Sequence, residues 1–139
     1  MSVKALLTSI ESLAVTWEDL KAHCNADTQY QNLLSKIKTG TFAPNFTLEE
    51  PDIKEFYNVR DRLTVVDDMI MYAYEGNELR TLIPKKLRLK MIKNLHAAHQ
   101  GVTSILGRAR QIMYWPGWIE TSAFIQKHAQ TVAQQPLAK

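Results

Sequence analysis

Cysteine is almost absent from this sequence, since Cys24 is the single cysteine among 139 residues. One cysteine excludes an internal disulfide and favours a reducing compartment. No apolar run reaches the roughly 18 to 20 residues that a membrane span needs, and the opening residues lack the apolar core and cleavage site of a secretion signal. A chain of this length can bury about two-thirds of its unfolded surface, so it needs neither disulfides nor metal to fold. We therefore expect a soluble intracellular protein without a membrane partner.

Acidic residues are nearly missing from the second half of the chain. Residues 1–79 carry 7 Lys or Arg against 13 Asp or Glu, whereas residues 80–139 carry 10 basic residues against a single acid, Glu120. The first half therefore has a net charge of −6 and the second half a net charge of +9. The basic half suits nucleic acid. It equally suits the acidic half of the same chain or of a second copy, and composition leaves both interpretations open.

Capping and stop signals predict short helices in the first half. Apolar residues at Leu6, Ile10 and Leu13 have the spacing of one helix face. Thr16 and Asp19 then have the spacing of a capping box, which predicts a helix to about Cys24.

A second set of signals follows at once. Asp27 is a candidate N-cap for a helix that Gly40 ends, with an apolar stripe at Tyr30, Leu33, Leu34 and Ile37. The stretch "TFAPNFTLEE" predicts a loop. Pro51 predicts the start of a further helix that runs to about Arg60.

The pattern changes to short β-prone runs between residues 63 and 83. "LTVV" and "MIMY" flank the turn signal "DD", and "LRTLI" follows a second turn signal, "EGNE". We expect a small antiparallel hairpin or a three-stranded sheet, with an extended linker as the alternative.

Helical periodicity returns at Pro84. It predicts a helix over residues 84–98 with Leu87, Met91, Ile92 and Leu95 on one face, and a second over 102–113 whose stripe ends at Ile112 and Met113. Pro116 and Gly117 end that element, and a last helix is predicted from about Trp118 toward Val132.

These motifs together resemble the N-terminal zinc-binding region of gypsy-type LTR-retrotransposon integrases. The resemblance rests on "RLTVVDDMIMY", "IPKKLRLKMIKNLHAAHQGV", "RARQIMYWPGW" and "FIQK", which occur in the family's order, and "TWEDLKAHCNADTQYQNLLSKIKTG" resembles the extension that precedes that region. It implies a mainly α fold with a small β-hairpin. The implied parts are an N-terminal helical extension over residues 1–61, a three-helix zinc-binding-like domain over 62–132, and a flexible tail over 133–139.

The resemblance also implies a zinc site, and the sequence departs from it. The family's two histidines fall at His96 and His99, whereas the first of its two cysteines falls at His128 and the second near Thr131 or Val132. Structural zinc needs four ligands, usually including thiolates. We therefore expect a degenerate site without zinc, in which His128 packs on an apolar face. Three histidine nitrogens with a water molecule are the alternative.

We expect no enzyme activity. The resemblance implies that catalysis belongs to a separate nuclease-like domain with three carboxylates around two metal ions, and Glu120 is the one acid after residue 80. We also expect no cofactor and no small-molecule substrate.

The function hypotheses belong to different classes. The first is a protein interaction module derived from an integrase, with a domesticated transposon as one origin. It would form a homodimer or bind another protein in the nucleus, and its candidate anchors are Trp17, Tyr114, Trp115, Trp118 and Phe124. For the "YWPGW" residues, packing against the small core is the alternative. The second is nucleic-acid binding through helices 84–98 and 102–113, with candidate residues Lys85, Lys86, Arg88, Lys90, Lys93, Arg108 and Arg110. The third is a retained fragment with no role beyond folding.

Overall fold

The computed structural model describes residues 15–74, 78–97, 112–118 and 120. Helices predominate in this part of the chain and surround a small four-stranded sheet, which confirms the predicted fold class. The predicted helices around Leu6 and over 102–113 lie largely or wholly outside the described residues, and so does nearly all of the last helix.

Helices α1 (Trp17–Ala26) and α2 (Thr28–Thr39) follow each other with one residue between them. The predicted capping box is confirmed, because the Asp19 N–H donates to Thr16 Oγ1 at 3.0 Å and the Thr16 N–H donates to Asp19 Oδ2 at 3.4 Å. Asp27 ends α1 and also caps α2, where its side chain accepts from the Tyr30 N–H at 2.8 Å. Gly40 ends α2 with a φ of 66°, the left-handed conformation that glycine adopts most readily.

The helix predicted from Pro51 to Arg60 is wrong in form. Only Lys54–Tyr57 is α-helical here (α3), and 3-10 helices occupy Phe46–Leu48 and Arg60–Arg62. No side chain caps the start of α3 at Ile53. Backbone bonds three residues apart, from Phe56 N to the Ile53 carbonyl and onward through Val59, keep the chain in single tight turns.

The predicted sheet is confirmed and gains a strand. Strands β1 (Leu63–Val66), β2 (Met69–Ala73) and β3 (Leu79–Leu82) pair in order and antiparallel. The "DD" turn between β1 and β2 has positive φ at both Asp67 (52°) and Asp68 (60°), as a two-residue type I′ turn requires.

Strand β4 (Met113–Tyr114) was not predicted, and it corrects the assignment of Met113 to a helix stripe. It pairs parallel with β3, with Met113 opposite Thr81. The Ile83 N–H donates to the Tyr114 carbonyl at 3.0 Å. Pairing with a strand some thirty residues away therefore overrides the local helical periodicity.

Helix α4 (Lys85–Ala97) begins directly after Pro84, as predicted, and buries Leu87 and Met91. Among the described residues, no helix has both the length and the apolar character that crossing a membrane requires.

One hydrophobic cluster runs from Val15 in the extension to Trp118 after β4. The two predicted units also meet through polar contacts. The Ile70 N–H donates to the Tyr30 hydroxyl at 2.7 Å, and Lys38 Nζ lies 2.6 Å from Asp68 Oδ1. The boundary at residue 61 stays a prediction, but the residues on its two sides share this core.

Candidate functional site

Helix α4 presents a row of lysines to solvent, which we call the lysine face: Lys85, Lys86, Lys90 and Lys93 are all exposed. With 3.6 residues per turn, the exposed positions of α4 span an arc of about 140°. Leu87 and Met91 point the other way, into the core, with 1% and 0% of their surface exposed. Within the described part of the chain, no carboxylate forms a salt bridge with these lysines. The lysine face therefore carries four positive charges that the described fold does not use.

Arg88 is placed differently from the lysines with which it was grouped. Its side chain is half-buried, and its Nε donates to the Ile83 carbonyl at 2.9 Å. Burial lowers the pKa of Arg88 from its ordinary value, and the nearby Glu55 and Asp27 carboxylates partly offset that effect. Arg88 thus ties α4 to the end of β3. The other two predicted nucleic-acid residues, Arg108 and Arg110, lie outside the described residues.

The tryptophans of "YWPGW" lie inside the protein. Trp115 and Trp118 are 4% and 1% exposed, and their ring centroids are 4.4 Å apart. A side chain that is buried in the core has no surface left for a partner, so this placement corresponds to the alternative interpretation, packing against the core. Trp17 and Tyr114 are half-buried against the same cluster and keep part of their surface accessible. Phe124 lies outside the described residues.

An exposed apolar loop was missed by the sequence analysis. Phe46 and Leu48 are 47% and 67% exposed, although "TFAPNFTLEE" gave no sign beyond its turn residues. Phe46 packs edge-on against Tyr57 at 6.1 Å and lies under Lys54 Nζ at 5.2 Å. The loop is held in shape from beneath, so it presents its apolar residues in a defined conformation.

Glu49 holds that loop. Its side chain is 1% exposed and forms a salt bridge with Lys36 Nζ at 3.0 Å. It also accepts hydrogen bonds from the backbone N–H groups of Ala43 (2.8 Å) and Glu50 (2.9 Å). Burial alone raises the pKa of a carboxyl group, but these three donors outweigh that effect and hold the pKa of Glu49 below its ordinary value.

A group of aromatic residues on the sheet was also missed. The rings of Tyr72 and Tyr114 stack at 3.8 Å with an interplanar angle of 5°, and the Arg80 guanidinium lies 3.9 Å from the ring centroid of Tyr74. The alternation in "YAY" indicates that Tyr72 and Tyr74 share a face of a strand. Tyr114 joins them only through the unpredicted strand β4.

The described residues bring together no set of zinc ligands. His96 lies in the last turn of α4, with a side chain outside the described set, and His99 and His128 also lie outside it. Cys24 is 1% exposed in the core, and burial raises the pKa of its thiol to about 12. Because zinc binds the thiolate, Cys24 is unsuited as a ligand. The chain thus lacks the cysteine pair of a four-ligand structural site.

A cleft of about 590 Å³ separates the start of α2 from the start of α4. It contains carboxylates of Asp27, Asp52 and Glu55, but two of these already have structural partners. Asp27 caps α2, and Glu55 Oε1 accepts from Gln29 Nε2 at 2.7 Å. Across the described ranges, no group of three or more His, Cys, Asp or Glu residues has an arrangement fit for a metal ion.

Comparison with known proteins agrees with the resemblance. Residues 83–123 match the family described as the integrase zinc binding domain. An uncharacterized protein of Caenorhabditis elegans is 23% identical over 103 residues, which is 74% of this chain and 8% of that protein. The matched segment therefore spans less than a tenth of the length of this relative. No solved structure matches. The match covers α4, β4 and the segment between them, and it is to a zinc-binding domain rather than to a catalytic core.

Proposed function

We propose that this chain is a non-catalytic nucleic-acid-binding module that contacts the phosphate backbone through the lysine face of α4. The observation that carries the proposal is the exposure of Lys85, Lys86, Lys90 and Lys93 on one helix, without salt bridges in the described part of the chain. The shortage of acids after residue 80 supports it, because α4 itself carries no negative charge that opposes a phosphate. Lys85 and Lys86 line a cleft together with the carboxylates of Asp27, Asp52 and Glu55, so this support applies most directly to Lys90 and Lys93. Contacts of this kind position a protein on nucleic acid without reading sequence.

The proposal predicts a salt dependence with a definite slope. Each lysine that neutralises a phosphate of duplex DNA changes the slope of log affinity against log salt by about 0.9. We expect Lys86→Gln combined with Lys90→Gln to make the slope shallower by about 1.8. Fluorescence anisotropy of a labelled duplex, titrated over a series of KCl concentrations, measures it.

A matched control separates local contacts from net charge. Lys21 and Arg62 are exposed in the acidic half and form no salt bridge within the described ranges. Lys21→Gln combined with Arg62→Gln removes the same charge and should leave the slope unchanged. Equal slopes for both double variants, or no binding by the wild type at low salt, would refute the proposal.

The exposed loop supports a second candidate function, self-association. Phe46 and Leu48 are large apolar side chains presented to solvent, and such residues mark interaction surfaces when they cluster. If the loop joins two copies, light scattering should give about twice the chain mass of 15.9 kDa. Phe46→Ser combined with Leu48→Ser should then restore the monomer mass. The same mass for the wild type and the double variant would count against the candidate.

Location and chemistry follow from the first proposal. A module that binds nucleic acid acts where nucleic acid is found, so we also propose an intracellular, nuclear location. The family match is to an integrase zinc binding domain, and a binding role agrees with that match.

A further inference from the structure

Three tyrosines and one arginine share a face of the sheet, which we call the tyrosine face. Tyr72 and Arg80 are direct partners across β2 and β3. Tyr74 lies two residues after Tyr72, and Tyr114 is the partner of Leu82, two residues after Arg80. Because side chains alternate along a strand, these four point to the same side.

The rings form a connected aromatic group, but Tyr72 in its middle is 9% exposed and belongs to the core. Tyr114 stacks on Tyr72 at 3.8 Å, and Tyr72 lies 6.5 Å from Tyr74 with a tilt of 37°. The Arg80 guanidinium covers part of Tyr74 at 3.9 Å. Tyr74, Arg80 and Tyr114 all keep part of their surface accessible. The accessible rings are therefore those of Tyr74 and Tyr114, and a planar cation lies against the ring of Tyr74.

Arg80 has no internal anion among the described residues. No carboxylate there forms a salt bridge with it, and its Nε is buried without a hydrogen-bond partner. Arginine guanidinium groups in folded proteins usually satisfy several donors, since each unpaired buried donor carries a cost. The buried Nε cannot meet a ligand, but the terminal guanidinium nitrogens are not among the buried unpaired atoms and are the donors that a phosphate could reach.

The charges around the tyrosine face differ between its two ends. Tyr114 lies within electrostatic reach of Arg88, but also of Glu55 and Glu120. Burial raises the pKa of Tyr114 to about 12, so its ring remains neutral at physiological pH. A phosphate is therefore favoured at the Arg80 end and a neutral base over the rings.

We propose that the tyrosine face binds an unpaired nucleotide of single-stranded nucleic acid, with the base stacked on the accessible part of the Tyr74 ring and the phosphate at Arg80. The inference rests on the proposed function, because the lysine face supplies the remaining backbone contacts. It adds a preference that lysines alone do not give. Stacking on aromatic side chains requires a base that is free of its duplex, and every base has a ring face to offer.

The test compares a labelled oligo(dT) of about 20 nucleotides, long enough to reach both surfaces, with a duplex of equal length. We expect Tyr74→Leu to weaken single-strand binding about tenfold, as the loss of one stacked base implies, and to leave duplex affinity unchanged. Tyr74→Phe keeps the ring and should bind as the wild type does. Arg80→Gln should weaken single-strand binding and also reduce its salt slope by about 0.7.

Lysine variants separate failure of this inference from failure of the proposed function. Lys86→Gln combined with Lys90→Gln should weaken binding to both the single strand and the duplex. Suppose that the lysine variant weakens binding to both nucleic acids. If Tyr74→Leu and Arg80→Gln then leave single-strand and duplex affinity unchanged, or change the two affinities equally, the tyrosine face is not a base-binding surface. If the lysine variant changes neither nucleic acid, the proposed function itself fails. Circular dichroism verifies folding, and Arg80→Gln carries the test if Tyr74→Leu does not fold.

Discussion

Replacing Trp118 with alanine should lower the free energy of unfolding by about 3 to 5 kcal/mol, the usual cost of removing a large buried aromatic side chain. Trp118 is 1% exposed and packs against Trp115 at 4.4 Å. Its Nε1 is buried without a hydrogen-bond partner among the described residues, so the loss of that donor reduces the cost and favours the lower part of the range. Urea denaturation followed by circular dichroism measures the change.

The same experiment tests whether the extension and the sheet unfold together. Because one cluster runs from Val15 to Trp118, we expect tryptophan fluorescence and circular dichroism to report one coincident transition in the wild type. Leu89→Ala is the matched control, since Leu89 is 60% exposed and its truncation should cost less than about 0.5 kcal/mol. An equal loss in both variants would contradict the placement of Trp118 in the core.

Replacing Glu49 with alanine should cost about 3 kcal/mol, because three donors lose their acceptor at once. These donors are Lys36 Nζ and the backbone N–H groups of Ala43 and Glu50. Denaturant unfolding at neutral pH measures the loss. Glu50→Ala is the control. Glu50 is exposed, and its carboxylate lies 3.8 Å from the Lys36 ammonium, farther than that of Glu49, so a small effect is expected.

The pKa of Glu49 gives this prediction a pH dependence. Since the folded-state pKa lies below the ordinary value, the contribution is complete above the unfolded-state pKa, near 4.3, and is lost as the pH falls through the folded-state pKa. Glu49→Ala should therefore flatten the acid limb of stability against pH. Lys38 likewise lowers the pKa of Asp68, but that pair is present in both proteins and cancels in the comparison. An unchanged acid limb would contradict the assignment.

Local signals in the sequence predicted local structure well. Thr16, Asp27 and Gly40 mark helix ends by side-chain and backbone chemistry that depends only on near neighbours, and the structure confirms all three. The "DD" turn is of the same kind. Pro51 is a counter-example, since it suits a first helical residue but begins a turn, and only the four residues Lys54–Tyr57 after it are α-helical.

Features that depend on distant partners could not be predicted in the same way. The two residues of β4 are too short for a periodicity of their own, and they become a strand only because β3 offers free backbone groups. The tyrosine face needs that register to bring Tyr114 to Tyr72. Likewise, aromatic residues suit both cores and interfaces, so the sequence of "YWPGW" left the burial of Trp115 and Trp118 open.

The candidate site was predicted in part. The spacing of the lysines on α4 follows from helical geometry, and their exposure agrees with it. Arg88 lies at the border of the exposed arc, where side-chain length and the Ile83 carbonyl decide its direction. The loop of Phe46 and Leu48 was missed because its exposure depends on Glu49, whose carboxylate turns inward to hold the chain from beneath.

Asp27 ends α1 and caps α2, so the junction of the two helices has no residue that could absorb a change in length. One extra residue there would turn α2 by about 100° and advance it by about 1.5 Å relative to α1. Tyr30, whose hydroxyl meets the backbone of Ile70, would then point away from the sheet. Changes in length are far easier to absorb between Gly40 and Asn45, where the chain is neither helix nor strand. The length of the loop in the extension can therefore vary, whereas the angle between α1 and α2, which places Tyr30 against the sheet, cannot.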